Sequence, residues 1–165
     1  MTGRIRLALA FIAALGVSAA CEDDETGPEA ETFTATLTGG AERPNPVTTT
    51  ATGAATFTVR DGEVDFEITG STLVGVRLAH IHGPATTEVA AGILVTLLTP
   101  VAAPGFNVAN GTVSEGTFPS TAFTLATGIT MDSVLVLMRN GNAYVNVHTV
   151  LNGGGEIRGQ IQRTN

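Results

Sequence analysis

The chain has 165 residues, 15 acidic side chains against 8 basic ones, a formal charge of −7 and a single cysteine. All eight basic residues are arginines, and they form no stripe or cluster, which argues against a nucleic-acid partner and against electrostatic binding to anionic lipid. One cysteine cannot form an internal disulfide, so any folded unit must be held by packing alone.

Arg4 and Arg6 precede an almost wholly apolar run from Leu7 to Ala20. That run is too short for the ~20 residues of a spanning helix and fits a secretory signal segment. It ends in Val17-Ser18-Ala19-Ala20-Cys21, which resembles a bacterial lipobox, with Ser18 where leucine is usual. The expectation is a lipoprotein signal over residues 1–21. Cys21 would carry the lipid, the membrane would be a partner through that anchor, and the mature chain would be extracytoplasmic. Residues 22–31 hold six acids and no large apolar side chain, the composition of a solvated tether.

Residues 32–165 then make one domain, with nine acids against six arginines. Phe33, Ala35 and Leu37 alternate with threonines, the pattern of a half-buried strand ending at Gly39-Gly40. Ala55, Phe57 and Val59 alternate in the same way before Asp61-Gly62, and Val64, Phe66 and Ile68 follow it. An Asp-Gly pair between alternating strands predicts a tight hairpin. The intervening Glu63, Asp65 and Glu67 face solvent together and read as surface charge.

Val76 to His82 is expected to be a separate strand running into Gly83-Pro84. The residues from Gly92 to Leu98 are apolar on both faces, which predicts a central strand. Gly111 to Phe118 is a glycine-punctuated strand near an edge. Thr130 to Arg139 is expected to be a short helix, with Thr130 as N-cap, Asp132 in the first turn and Gly141 past the end. Its Val-Leu-Val-Leu core also suits a strand. Tyr144 to Thr149 and Gly155 to Ile161 close the chain as a hairpin, with Tyr144, Asn146 and His148 on one face and Val145 and Val147 on the other. About seven or eight short strands and one helix before the last hairpin predict an all-β antiparallel sandwich or Greek-key barrel.

The three histidines all fall in two blocks, Ala79-His80-Ile81-His82-Gly83-Pro84-Ala85 and Tyr144-Val145-Asn146-Val147-His148-Thr149. His80 and His82 leave one face of a strand about 7 Å apart, and His148 sits on a strand of similar character. If the two strands meet, three imidazoles can converge on one ion, with copper or zinc as the cofactor. Asn146, Glu156 and Arg158 are then candidates to orient a ring or to serve structure, the last two as an ion pair. The bland alternative is a set of histidines satisfied by hydrogen bonds in a polar patch. No Gly-x-Ser-x-Gly elbow or free thiol offers a nucleophile, so nucleophilic catalysis has no clear candidate, while three histidines with an open position would also suit a reactive metal-bound water.

The two histidine blocks, with Gly155-Glu156-Ile157-Arg158-Gly159, resemble the CHRD domain, the module of chordin. Where that family commonly has Asn-Pro-x-Gly-Glu, this chain has Asn152-Gly153-Gly154-Gly155-Glu156. The resemblance implies an extracellular β-domain that binds rather than catalyses. Growth-factor binding, the chordin role, does not carry over to a bacterial envelope lipoprotein, so the expected partner is an unspecified protein or envelope ligand. The alternative expectation is a metal-binding and redox-active domain like the copper–zinc superoxide dismutases. Those also mount His-x-His on a β-fold, but with more histidines than three.

Overall fold

The computed structural model describes residues 30–165; the expected signal segment, Cys21 and nearly all of the expected tether lie outside them. The alternating stretches form strands as expected. β1 (Glu31–Thr38) pairs along its length with β2 (Thr52–Arg60), Phe33 opposite Phe57. β2 turns through Asp61-Gly62, both at positive φ, into β3 (Glu63–His82), and Phe57 also stands opposite Phe66. The Asp-Gly signal therefore set the hairpin register correctly.

β3 is longer than its sequence suggests. It runs from Glu63 to His82 in 20 residues, joining what read as two strands. Its first half pairs with β2 and with β5 (Phe106–Phe118), and its second half with β4 (Ile93–Leu98) and β6 (Tyr144–Thr149). Thr72 and Gly75 take positive φ between the halves, where the β5 register shifts. Such a bulge bends a strand without ending it. The small polar residues from Thr69 to Ser71 mimic a turn in sequence but stay in the ladder.

β7 (Ile157–Gln160) pairs with β6 and meets β1 at Thr38, while the short β8 (Gln162–Arg163) adds to the other end of β1. The strand order β2-β1-β7-β6-β3, closed by the β2–β3 pairing, makes a small antiparallel barrel. Phe33, Leu37, Phe57, Ile68, Phe118 and Ile157 fill it. β5 hangs on β3 alone, as an edge strand should. Its Gly116, at φ +154, leaves the space that Phe123 occupies, and Phe123 meets Phe66 edge-on at 4.9 Å.

One further detail differs from expectation. β4 is not central; it pairs with β3 and ends the strand order. Its outer edge is covered instead by residues 124–126, with Thr96 N–H donating to the Thr124 carbonyl and Ala126 N–H to that of Leu94. An irregular segment thus screens Val95 as a second strand would. The helix α1 (Met131–Arg139) forms where expected, with Val134, Leu135 and Met138 buried. Among the described residues no helix is long and apolar enough to cross a membrane.

β6 is buried at every position. Val145 and Val147 point into the barrel. Tyr144, Asn146 and His148 point outward, yet the 83–91 loop and the glycine turn at 153–155 close over them. A face that would ordinarily meet water is therefore a second, polar interior.

Candidate metal centre

That polar interior holds the histidines. In the β3–β6 register Leu78 is opposite His148, His80 opposite Asn146 and His82 opposite Tyr144. His148 is thus the diagonal neighbour of His80 on the same face, within reach across an antiparallel pair. Nδ1 of His80 lies 3.0 Å from Nε2 of His148. The three rings can each offer a nitrogen within 4.8 Å of the others. His80, His82 and His148 are only 6%, 8% and 8% exposed. The convergence expected from two separated blocks is present.

Backbone carbonyls fix which nitrogens are free. Nδ1 of His82 faces the Ala91 carbonyl at 2.9 Å, and Nδ1 of His148 faces that of Gly153 at 3.0 Å. A carbonyl only accepts, so each Nδ1 carries the proton and each Nε2 keeps its lone pair. Nε2 of His148 accepts from His80, whereas Nε2 of His82 is buried with no partner. Such a carbonyl behind a ligating imidazole sets both tautomer and ring angle. A tetrahedral ion at ~2.0–2.1 Å from two nitrogens would hold them roughly 3.3 Å apart. The His80–His148 pair stands close to that spacing already, so an ion would take the place of the proton between them.

The rings are also held neutral, the state a metal requires. Burial pushes His80 down to about 4, helped by the neighbouring His148 and His82. Burial lowers His82 and His148 as well, each partly offset by its carbonyl partner, Ala91 or Gly153.

Around the cluster the other candidates take separate roles. Arg158 is fully buried, its guanidinium 3.5 Å over the Tyr144 ring, and Tyr144 stacks flat on His82 at 5.0 Å. Nη2 of Arg158 donates to the Thr86 and Val89 carbonyls, which pins the 83–91 loop over the site. Glu156 accepts from Thr49 and Thr149 at 2.8 and 2.7 Å. The ion pair expected between Glu156 and Arg158 is therefore not made: Glu156 is taken by the two threonines, and Nη2 of Arg158 by the loop carbonyls. Asn146 lies in register between His80 and Arg158, with Oδ1 buried and unpartnered.

One acid was missed. Glu42, just past the short 3-10 turn, is buried against the same layer with Oε1 unpartnered. Burial raises its carboxyl to about 7, against the opposing pull of Arg158, Asn146 and the Arg43 backbone. Its only sequence signal was an acid beside a Pro-rich loop, which ordinarily means surface. Gly155 makes room for it: a Cβ there, at φ +132, would come within 2.4 Å of Glu42 and 2.7 Å of Asn146. Five buried polar atoms without partners, on Glu42, His82, Asn146, Arg158 and Gln160, mark this layer as unusual, since such atoms are ordinarily satisfied.

The CHRD domain matches residues 33–161, from the first strand of the barrel to the last residue of its core. The chain belongs to the CHRD domain family. Both histidine blocks and the glycine turn fall inside the matched CHRD region, and Glu42 does as well. No curated protein and no solved structure matches this CHRD chain.

Proposed function

We propose that this CHRD domain is a lipid-anchored, extracytoplasmic binding module whose built-in ligand is one transition-metal ion, copper or zinc, held by His80, His82 and His148. The observation that carries the metal reading is the convergence of three buried, neutral imidazoles, two of them fixed by backbone carbonyls with Nε2 turned inward. A hydrogen-bonded histidine patch would account for the His80–His148 contact. Nε2 of His82 has no neighbour to bond apart from Asn146, and an ion would take its lone pair. Imidazole donors suit copper and zinc rather than calcium or magnesium.

Binding without turnover is the favoured mode. The 83–91 loop and the 153–155 turn cover the cluster, leaving the rings over nine-tenths buried. Titration of the metal-free domain with copper or zinc is expected to show one equivalent bound. His148→Ala and His82→Ala should each lose at least tenfold in affinity. A folded wild-type domain that takes up neither metal would overturn the reading.

The anchor rests on the apolar run and on the lipobox-like order ending at Cys21. Labelled fatty acid is expected to be incorporated by the full chain and not by Cys21→Ser. Equal labelling of both would exclude a lipid on that cysteine.

A further inference from the structure

The histidine cluster lies beside a buried positive charge that its own ligands do not neutralise. Arg158 is 1% exposed and sits on one face of Tyr144, while His82 stacks on Tyr144 from the neighbouring strand, β6 lying between β7 and β3. Laid end to end, the two separations place the guanidinium no more than about 8.5 Å from the His82 ring centre. Guanidinium remains charged at any working pH. Its Nη1 is buried without a partner.

Its counter-ions are weak. Glu42 makes no direct salt bridge to it, and burial leaves that carboxyl only partly ionised near neutral pH. Arg43 and Glu88, farther out, act on Arg158 in opposite senses and form a long pair with each other at 3.6 Å.

Three neutral imidazoles add no negative charge, so the site would carry the full charge of its ion. Burial penalises every uncompensated charge. At ~10 Å and an effective dielectric of ~20, Arg158 alone disfavours a divalent ion against a monovalent one by roughly 10- to 20-fold. The donor count points the same way. Three histidines serve zinc only with a fourth donor such as water, which this covered site would have to admit, whereas a monovalent d¹⁰ ion is content with three.

We infer that the cluster selects monovalent copper over divalent ions, and that Arg158, acting through the Tyr144–His82 stack, sets this charge preference. The inference rests on the metal-binding reading above and adds the charge of the ion and the residue that chooses it.

The test uses metal-free protein under anaerobic conditions. Cu(I) is titrated against bicinchoninate, and Zn(II) against a chromogenic chelator, to give two dissociation constants. Cu(I) should bind more tightly than Zn(II). Because copper binds most nitrogen sites well, the decisive reading is how variants move the ratio. Arg158→Leu should tighten both ions, Zn(II) by roughly tenfold more than Cu(I), so that the ratio of the two constants moves by that factor. Glu42→Gln at pH 8 leaves the buried guanidinium in place and removes its partial counter-ion. It should move the ratio the other way, and it carries the test if Arg158→Leu does not fold. The Cu(II)/Cu(I) potential should fall in Arg158→Leu by about 59 mV for each tenfold change in the ratio of the two affinities. If the wild type binds neither ion, the metal reading itself fails. If it binds Zn(II) as tightly as Cu(I), or if the folded variants shift both ions equally, the cluster is a metal site without the proposed selectivity.

Discussion

A histidine held neutral by burial stabilises the fold only while the unfolded chain is neutral too. His80 has a folded value of about 4 against an ordinary 6.5. Between those values the unfolded state binds the extra proton, so stability is present above pH 6.5 and is lost on acidification toward pH 4. His82 and His148 shift in the same direction. Glu42 opposes them: its carboxyl is raised, so the folded state binds more protons between about 4.5 and 7 and loses stability as pH rises through that window. Glu42 and His80 shift by similar amounts and largely offset each other, which leaves His82 and His148 to set the sign. Metal-free protein should therefore melt lower at pH 4.5 than at pH 7, with His80 contributing roughly 2 kcal/mol once solvent screening is allowed for. Thermal denaturation across that range checks it, and a flat or rising profile on acidification would show that the rings are hydrated. At this scale the histidine face was legible, because alternation along a strand assigns sides without any knowledge of neighbours. Glu42 was not. A lone acid beside Pro44 carries no periodic signal, and its burial depends on Gly155, more than a hundred positions away.

Elements obeyed their local chemistry wherever that chemistry was strong. Thr130 caps α1 through its side-chain oxygen, accepting from the Ser133 N–H, while Ser133 Oγ accepts from the Thr130 N–H. Reciprocal capping of this kind is worth about 1 kcal/mol. Thr130→Ala should lower unfolding free energy by about that amount in urea, without disturbing the histidines; Thr130→Ser should recover most of it. A change below ~0.3 kcal/mol in the alanine variant would mean that packing of Val134, Leu135 and Met138 alone holds the helix. Strand boundaries were less legible. β3 hides its continuity because Gly70 and Ser71 look like a turn, and only pairing with β2 and β5 keeps them extended. β4 reads as central because both its faces are apolar. The sequence cannot distinguish a second strand from an irregular strap, such as residues 124–126, as the cover on its outer edge.

The molecule as a whole has two interiors divided by one sheet. The inner one is an apolar barrel core, and its contents followed directly from alternation in β1, β2 and the first half of β3. The outer one is the polar layer over β3, β6 and β7, roofed by loops. Its existence was not legible, because a roof of loops leaves no pattern in the strands beneath it. What signalled it was the double burial of β6, where both sets of alternating residues lie away from solvent.

The glycine turn after β6 has a practical bearing on how the protein can be handled. It looks like an ideal place for a dye, an epitope or a fused peptide: short, exposed at Gly153 and Gly154, and rich in the most permissive residue. Yet the Gly153 carbonyl orients His148, and Gly155 clears the space for Glu42. A graft there would report on a molecule it had altered. The Asp61-Gly62 turn, beyond the opposite end of β1, has open space around Gly62 and no tie to the histidines. Of two turns that look alike in sequence, that one is the safe handle.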